Sequence, residues 1–224
     1  MKKILLVACF LIISSAVFAQ IPSIGIKGGL NFASLSNAYN GTNSGYSGIT
    51  TFNAGVFVDF KIGNFSLQPA LNYTGKGGSY NEILYYFYPD LYPGPAISNE
   101  PGTEKVKEQL YYLQLPVNIV YHIPVVIGNI YFGAGPYVAQ GLSGKTTYTE
   151  GSTVTTDKVT FGNSADDVKA TQFGADAIIG FKLRNGLLIN ANYDLGLTND
   201  VPAAEGGNKS KSHVFGISVG YVFL

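Results

Sequence analysis

In 224 residues the chain has one cysteine, one methionine, two histidines and no tryptophan. The single cysteine, Cys9, lies in an apolar N-terminal stretch, so the rest of the chain offers no disulfide and no thiolate for catalysis or metal binding. Charge is sparse at 12%, and 14 basic residues balance 14 acidic ones. A neutral chain is not built to grip nucleic acid or to steer a strongly charged partner. After residue 20 there is no run of about 18 apolar residues, which excludes a membrane-spanning helix. Yet the mean hydropathy is positive, at +0.17. The apolar residues must therefore be arranged in some pattern other than long runs.

That pattern is alternation. Eight stretches place apolar residues at every second position: Ile24 to Phe32, Phe52 to Phe60, Phe65 to Tyr73, Tyr111 to Tyr121, Ile130 to Val138, Phe173 to Leu183, Leu187 to Leu197 and Phe215 to Phe223. Period two marks a pleated strand with one face against something apolar. The eight apolar faces hold about 43 positions without one Lys, Arg, Asp or Glu, where a 12% charge content places roughly five by chance. Abundant glycine (28) and 13% aromatics fit an all-β chain.

At the N-terminus, Lys2 and Lys3 precede an apolar run, Ile4 to Ile13, and Val17-Phe18-Ala19 supplies small residues for cleavage. Residues 1–19 are expected to be a secretory signal peptide and 20–224 a single barrel domain. Leu6-Val7-Ala8-Cys9 resembles a lipoprotein cleavage box, but the apolar run continues past Cys9, which disfavours a lipid anchor there.

Connections between the eight stretches alternate in length. Residues 34–51, 74–110, 139–172 and 198–214 are long, whereas 61–64, 122–129 and 184–186 are short, the last carrying an Asn-Gly turn signal. Long connections at one end and short turns at the other describe an up-and-down barrel of the outer-membrane kind. Aromatics on the apolar face collect near both strand ends. Phe32, Phe52, Tyr73, Tyr111, Phe173 and Phe215 lie toward the long connections; Phe60, Phe65, Tyr121, Phe132, Phe181, Tyr221 and Phe223 lie toward the short turns. Two such belts fit two membrane interfaces, and lipid explains the missing charge. The fold expected is an eight-stranded antiparallel up-and-down transmembrane β-barrel. A soluble carrier with the apolar face turned inward is the competing reading.

The opposite face is rich in glycine and amide side chains and carries Lys27, Asp59, Lys76, Asp176, Lys182 and Asp194, three of each sign. These are expected to fill the lumen as a mutually neutralising polar network; a polar conduit is the alternative. The second long connection holds Tyr80, Tyr85, Tyr86, Tyr88 and Tyr92 among prolines. Such tyrosines suit recognition at low entropy cost, or they pack together and cap the barrel. The third long connection reads as a Thr-, Gly- and Asp-rich loop. Its Asp166 and Asp167, with Glu150, offer at most a weak cation site.

His122, read as part of a short turn region, and His213 fall at opposite ends of the barrel, so no catalytic triad is expected. The chain is read as a non-enzyme without cofactor or metal. Its partners are outer-membrane lipid and an extracellular or secretion-machinery protein.

Gly25-Ile26-Lys27-Gly28-Gly29-Leu30-Asn31-Phe32 resembles the first strand of the outer-membrane β-barrel domain proteins of Bacteroidota, the PorT-like group. Leu67-Gln68-Pro69-Ala70-Leu71, Tyr112-Leu113-Gln114-Leu115-Pro116, Ala134-Gly135-Pro136-Tyr137 and Tyr193-Asp194-Leu195-Gly196-Leu197 extend the likeness in order along the chain. The resemblance implies an eight-stranded barrel similar to OmpA- and OmpX-like proteins and implies no activity. Function is expected to be structural or surface interaction through long extracellular loops. A narrow porin-like channel, or an accessory role in outer-membrane transport or secretion, is the alternative. Pro69, Pro116 and Pro136 fall inside strands, where a missing N–H should interrupt the ladder.

Overall fold

The computed structural model describes residues 22–39, 42–45, 47–84, 102–162, 167–199 and 209–223. Eight long strands form one antiparallel ring: β1 (Ser23–Tyr39), β2 (Ile49–Ile62), β3 (Phe65–Leu84), β4 (Gly102–Val125), β5 (Gly128–Glu150), β6 (Thr171–Leu183), β7 (Leu187–Gly196) and β8 (Lys209–Phe223). Each pairs with its neighbours in sequence, and β8 closes the ring on β1 with Phe32 opposite Phe215 and Ile24 opposite Phe223.

The charge-free faces point outward. Leu30, Leu115, Ile119, Ile179, Ile189, Ile217 and Val219 are all exposed, while Asn31, Gln114, Asn118, Asp176, Asn190 and Ser218 are buried inside. A surface this apolar on every strand is stable only against lipid. The two aromatic belts are in ring contact: Tyr73 stacks on Tyr111 with centroids 5.3 Å apart, and Phe65 lies 4.9 Å from Tyr121 at the short-turn end. From Tyr111 to Tyr121 the strand takes ten steps of about 3.3 Å, or roughly 23 Å of height at a tilt of about 45°. That matches an apolar band of about 25 Å.

The three short turns are tight, two of them only Gly63-Asn64 and Val126-Ile127. The link expected at 122–129 is therefore shorter than it reads. β4 runs on to Val125, which carries His122 into the lumen.

The long-connection end differs more. Residues 74–84 and 102–111 are not a loop but a continuous pairing of β3 with β4, from Thr74 opposite Tyr112 to Leu84 opposite Gly102. The loop expected after Ala139 is likewise strand. β5 continues to Glu150, turns at Gly151-Ser152, and returns as Thr153–Lys158 paired on β5. Gly151 takes φ 58 at the first turn position, a conformation glycine adopts without cost. A short strand Thr42–Gly45 folds back on β1 in the same way. The physical reason these strands escape a periodicity reading is that both of their faces are largely polar, so no apolar contrast remains.

Each in-strand proline sits beside a two-residue gap in one ladder. Pairing of β2 with β3 skips from Phe57–Ala70 to Phe60–Leu67 at Pro69. Pairing of β3 with β4 skips from Pro69–Val117 to Asn72–Gln114 at Pro116, and β4 with β5 from Pro116–Tyr137 to Ile119–Ala134 at Pro136. A separate bulge at Leu142 shifts the register of β5 against β4 between Tyr111 and Tyr112.

Candidate functional site

The lumen is where the polar face converges, and the inward side chains of β4 mark its layers in order. From the short-turn end they are His122, Val120, Asn118, Gln114, Tyr112 and Leu110, all buried.

At the short-turn end, Ser66 Oγ lies 2.8 Å from His122 Nε2, and Asp59 Oδ1 lies 3.8 Å from the same nitrogen. Lys61 and Lys182 bear on the same charge cluster. Serine, histidine and aspartate are the residue types of a hydrolytic triad, but the geometry is not one. A triad needs the acid on the ring nitrogen opposite the serine. Here both partners approach Nε2, and Nδ1 makes no hydrogen bond with a described residue. The cluster is a structural tie between β2, β3 and β4.

Above it, Val120, Tyr131 and Ile178 form an apolar layer. The central layer follows. Asp176 and Asp194 stand directly opposite each other across β6 and β7, and Lys27 is the cation whose field both feel. Asn118 Nδ2 donates to Asp176 Oδ2 at 2.6 Å, Gln114 Nε2 to Asp194 Oδ2 at 2.9 Å, and Asn192 Nδ2 to Asp194 Oδ1 at 3.0 Å. An amide chain continues round the wall: Ser218 Oγ donates to Asn53 Oδ1 (2.9 Å), Asn53 Nδ2 to Asn31 Oδ1 (2.5 Å) and Asn31 Nδ2 to Thr74 Oγ1 (2.8 Å). Together these groups leave a cavity of only about 10 Å³, lined by Lys27, Asn31, Gln114, Asp176 and Asp194 among others. That is room for about one water.

Toward the long-connection end, Lys76 is fully buried. Its Nζ lies 4.5 Å from the Tyr137 ring centroid and 5.2 Å from that of Tyr112. It also donates to Gln172 Oε1 at 3.2 Å. Cation–π contact in a desolvated site is worth about 2 kcal/mol. Leu110, Tyr112, Tyr137 and Ala139 then close the bore, and Val159, Phe161 and Val168 pack down on them. Phe161 meets Tyr112 edge-on at 5.5 Å. The described cap thus comes from the third long connection.

The six charged residues expected in the lumen fall into three places. Lys27, Asp176 and Asp194 share the central layer; Asp59 and Lys182 lie at the short-turn end; Lys76 stands apart among tyrosines. His122, Ser66, Tyr112 and Tyr137 complete these layers and were not singled out as lumen residues. His122 shares its strand parity with Gln114 and Asn118, which was the available signal. Tyr80 belongs to β3, opposite Val106. Tyr85, Tyr86, Tyr88 and Tyr92 lie outside the described residues, as does Asp166.

A closed antiparallel ring of eight strands, apolar outside and plugged by polar side chains within, defines an integral outer-membrane barrel. The chain belongs to the outer membrane protein beta-barrel domain family, whose model matches residues 18–200. It lies in the cell outer membrane, and its described structure is that of the family. Solved structures similar to it include Ail, the attachment invasion locus protein of Yersinia pestis, determined with the heparin analogue sucrose octasulfate (12% identity, 91% of this chain and 100% of that one, TM-score 0.43). Neisserial surface protein A is similar at 12% identity, with the same coverage and a TM-score of 0.44. The N-terminal barrel domain of Pseudomonas aeruginosa OprF is similar at 12% identity, over 90% of this chain and 97% of that one, with a TM-score of 0.34. No curated protein matches.

Proposed function

We propose that the chain works as a closed membrane anchor for an extracellular β-sheet, a surface-interaction protein and not a pore. The observation that carries this reading is the filled bore, whose central cavity of about 10 Å³ has room for about one water. In outer-membrane barrels the short turns face the periplasm and the long connections face outward. The extensions of β3, β4 and β5, with the strand Thr153–Lys158, then form the displayed sheet, and the tyrosines of residues 80–92 are its recognition residues. The six lumen charges serve to hold the anchor rigid. Conductance across planar bilayers tests the anchor: the full chain is expected to add no stable current, and discrete openings would return the channel reading. Replacing Tyr85, Tyr86, Tyr88 and Tyr92 by serine tests the display. Binding of whole cells to host or bacterial surfaces should fall while heat-modifiability is kept.

A further inference from the structure

The displayed sheet separates its charges by face. Outward, in line with the lipid-facing Tyr111, β4 carries Lys105 and Lys107, β5 carries Lys145, and the edge strand carries Lys158. The opposite face, in line with the buried Val106 and Leu110, carries Glu104, Glu108, Glu150 and Asp157. Strand alternation puts these four lysines on one side and these acidic residues on the other. Lys105, Lys145 and Lys158 are exposed, and among the described residues none of the four lysines forms an ion pair. Lys145 and Lys158 are direct cross-strand partners. Like charges placed so are destabilising unless something neutralises them.

We infer that this basic face docks on the anionic headgroups of the leaflet that surrounds the barrel. Two features of the fold point to lipid as the occupant. First, the face is continuous with the lipid-facing wall. Lys145 sits beside Gln109, two residues beyond the Tyr111 belt, and Lys158 is level with it. At about 3.3 Å per residue and a tilt of about 45°, that is roughly 5 Å above the apolar band. The headgroup layer is about 5–7 Å deep on each side. Lys107 lies about 9 Å up and can snorkel back to it, while Lys105, at about 14 Å, acts only through the screened field. Second, the charge is complementary to phosphate: among the described residues the face has four ammonium groups and no carboxylate. The docked sheet leans on the membrane, and its acidic face stays on the side of the buried Val106 and Leu110. The inference stands on the membrane location and the sheet's register, independent of the recognition reading above.

The test uses the full-length folded barrel in vesicles of three parts phosphatidylcholine to one part phosphatidylglycerol. Lipids that stay on the barrel after gentle extraction are counted by native mass spectrometry. The wild type is expected to retain phosphatidylglycerol over phosphatidylcholine at a ratio at least about fivefold above the vesicle's one to three, since each lysine near the surface contributes about that factor. High salt should erase the preference. K107Q/K145Q/K158Q is expected to return to the vesicle ratio, and K105Q alone to lose less than either K145Q or K158Q alone. E104Q/E108Q/E150Q/D157N, on the other face, should keep the preference. All these changes lie beyond the apolar band, and heat-modifiability reports that each variant is folded. An unchanged preference in the triple lysine variant overturns the inference. So does a wild type that shows no lipid preference but binds dextran sulfate in detergent through the same lysines, since the face then serves a soluble polyanion.

Discussion

Among the described residues, Lys27 is the cation that the central layer of the bore supplies to two facing carboxylates. Asp176 accepts from the Asn118 amide and Asp194 from the Gln114 amide, but Asp176 Oδ1 accepts no bond from a described residue. Removing one member of such a group leaves charge stranded in a dry interior, at a cost of about 3–5 kcal/mol. Lys27→Met is therefore expected to lower the denaturant midpoint of the folded barrel by that order, measured in equilibrium refolding. K27M with D176N and D194N together should recover much of the loss. Glu108 offers a second test at this scale, outside the membrane. Burial pushes its carboxyl above the usual carboxylate range. The folded state then holds the proton more tightly than the unfolded chain. Its favourable contribution is full below the unfolded carboxylate value and is lost as the pH rises through the raised one. Hydrogen-exchange protection in the β4–β5 extension, corrected for the intrinsic rate at each pH, should accordingly fall across that window, and E108Q should flatten the trend.

At the scale of elements, the extended hairpins depend on backbone detail that the membrane span does not need. Gly77 has φ 133, and a Cβ there would sit 2.1 Å from the Glu108 carbonyl oxygen. Gly77→Ala is expected to cost about 1–3 kcal/mol locally. The readout is proteolysis: cleavage in residues 75–110 should rise several-fold while the membrane-protected barrel fragment remains. Equal loss of the barrel itself would show that the extension and the span fold as one unit. The ladder gaps at Pro69, Pro116 and Pro136 belong to this scale too. They step across adjacent strands, so three neighbouring ladders are each interrupted at a different height.

For the whole molecule, the deciding contrast is between lipid and water on the outer surface. Leu115 is exposed midway between the two belts, and Thr147 is on the same outward side beyond them. Leu115→Arg should cost about 2–4 kcal/mol in refolding equilibria with vesicles. Thr147→Arg should change the same measurement by no more than about 0.5 kcal/mol. Equal effects at the two sites would contradict the placement of the membrane between the Tyr111 and Tyr121 belts.

Strand number, ring closure and membrane location were readable from residue order alone, because an uncharged apolar face on every strand records the lipid it touches. Lys27, Asp176 and Asp194 could be assigned to the inner face for the same reason. Alternation goes silent where lipid ends. Residues 74–84, 102–110 and 143–158 have two polar faces, and so they read as loops although they are strand. His122 was misplaced because strand ends carry no periodic mark. Folding alone set which inward groups meet, since partners across the bore depend on register and tilt, which no single strand encodes. It also sorted Lys105, Lys107, Lys145 and Lys158 onto one face and their acidic counterparts onto the other: the bulge at Leu142 and the turn at Gly151 fix that parity, and both are properties of paired backbone.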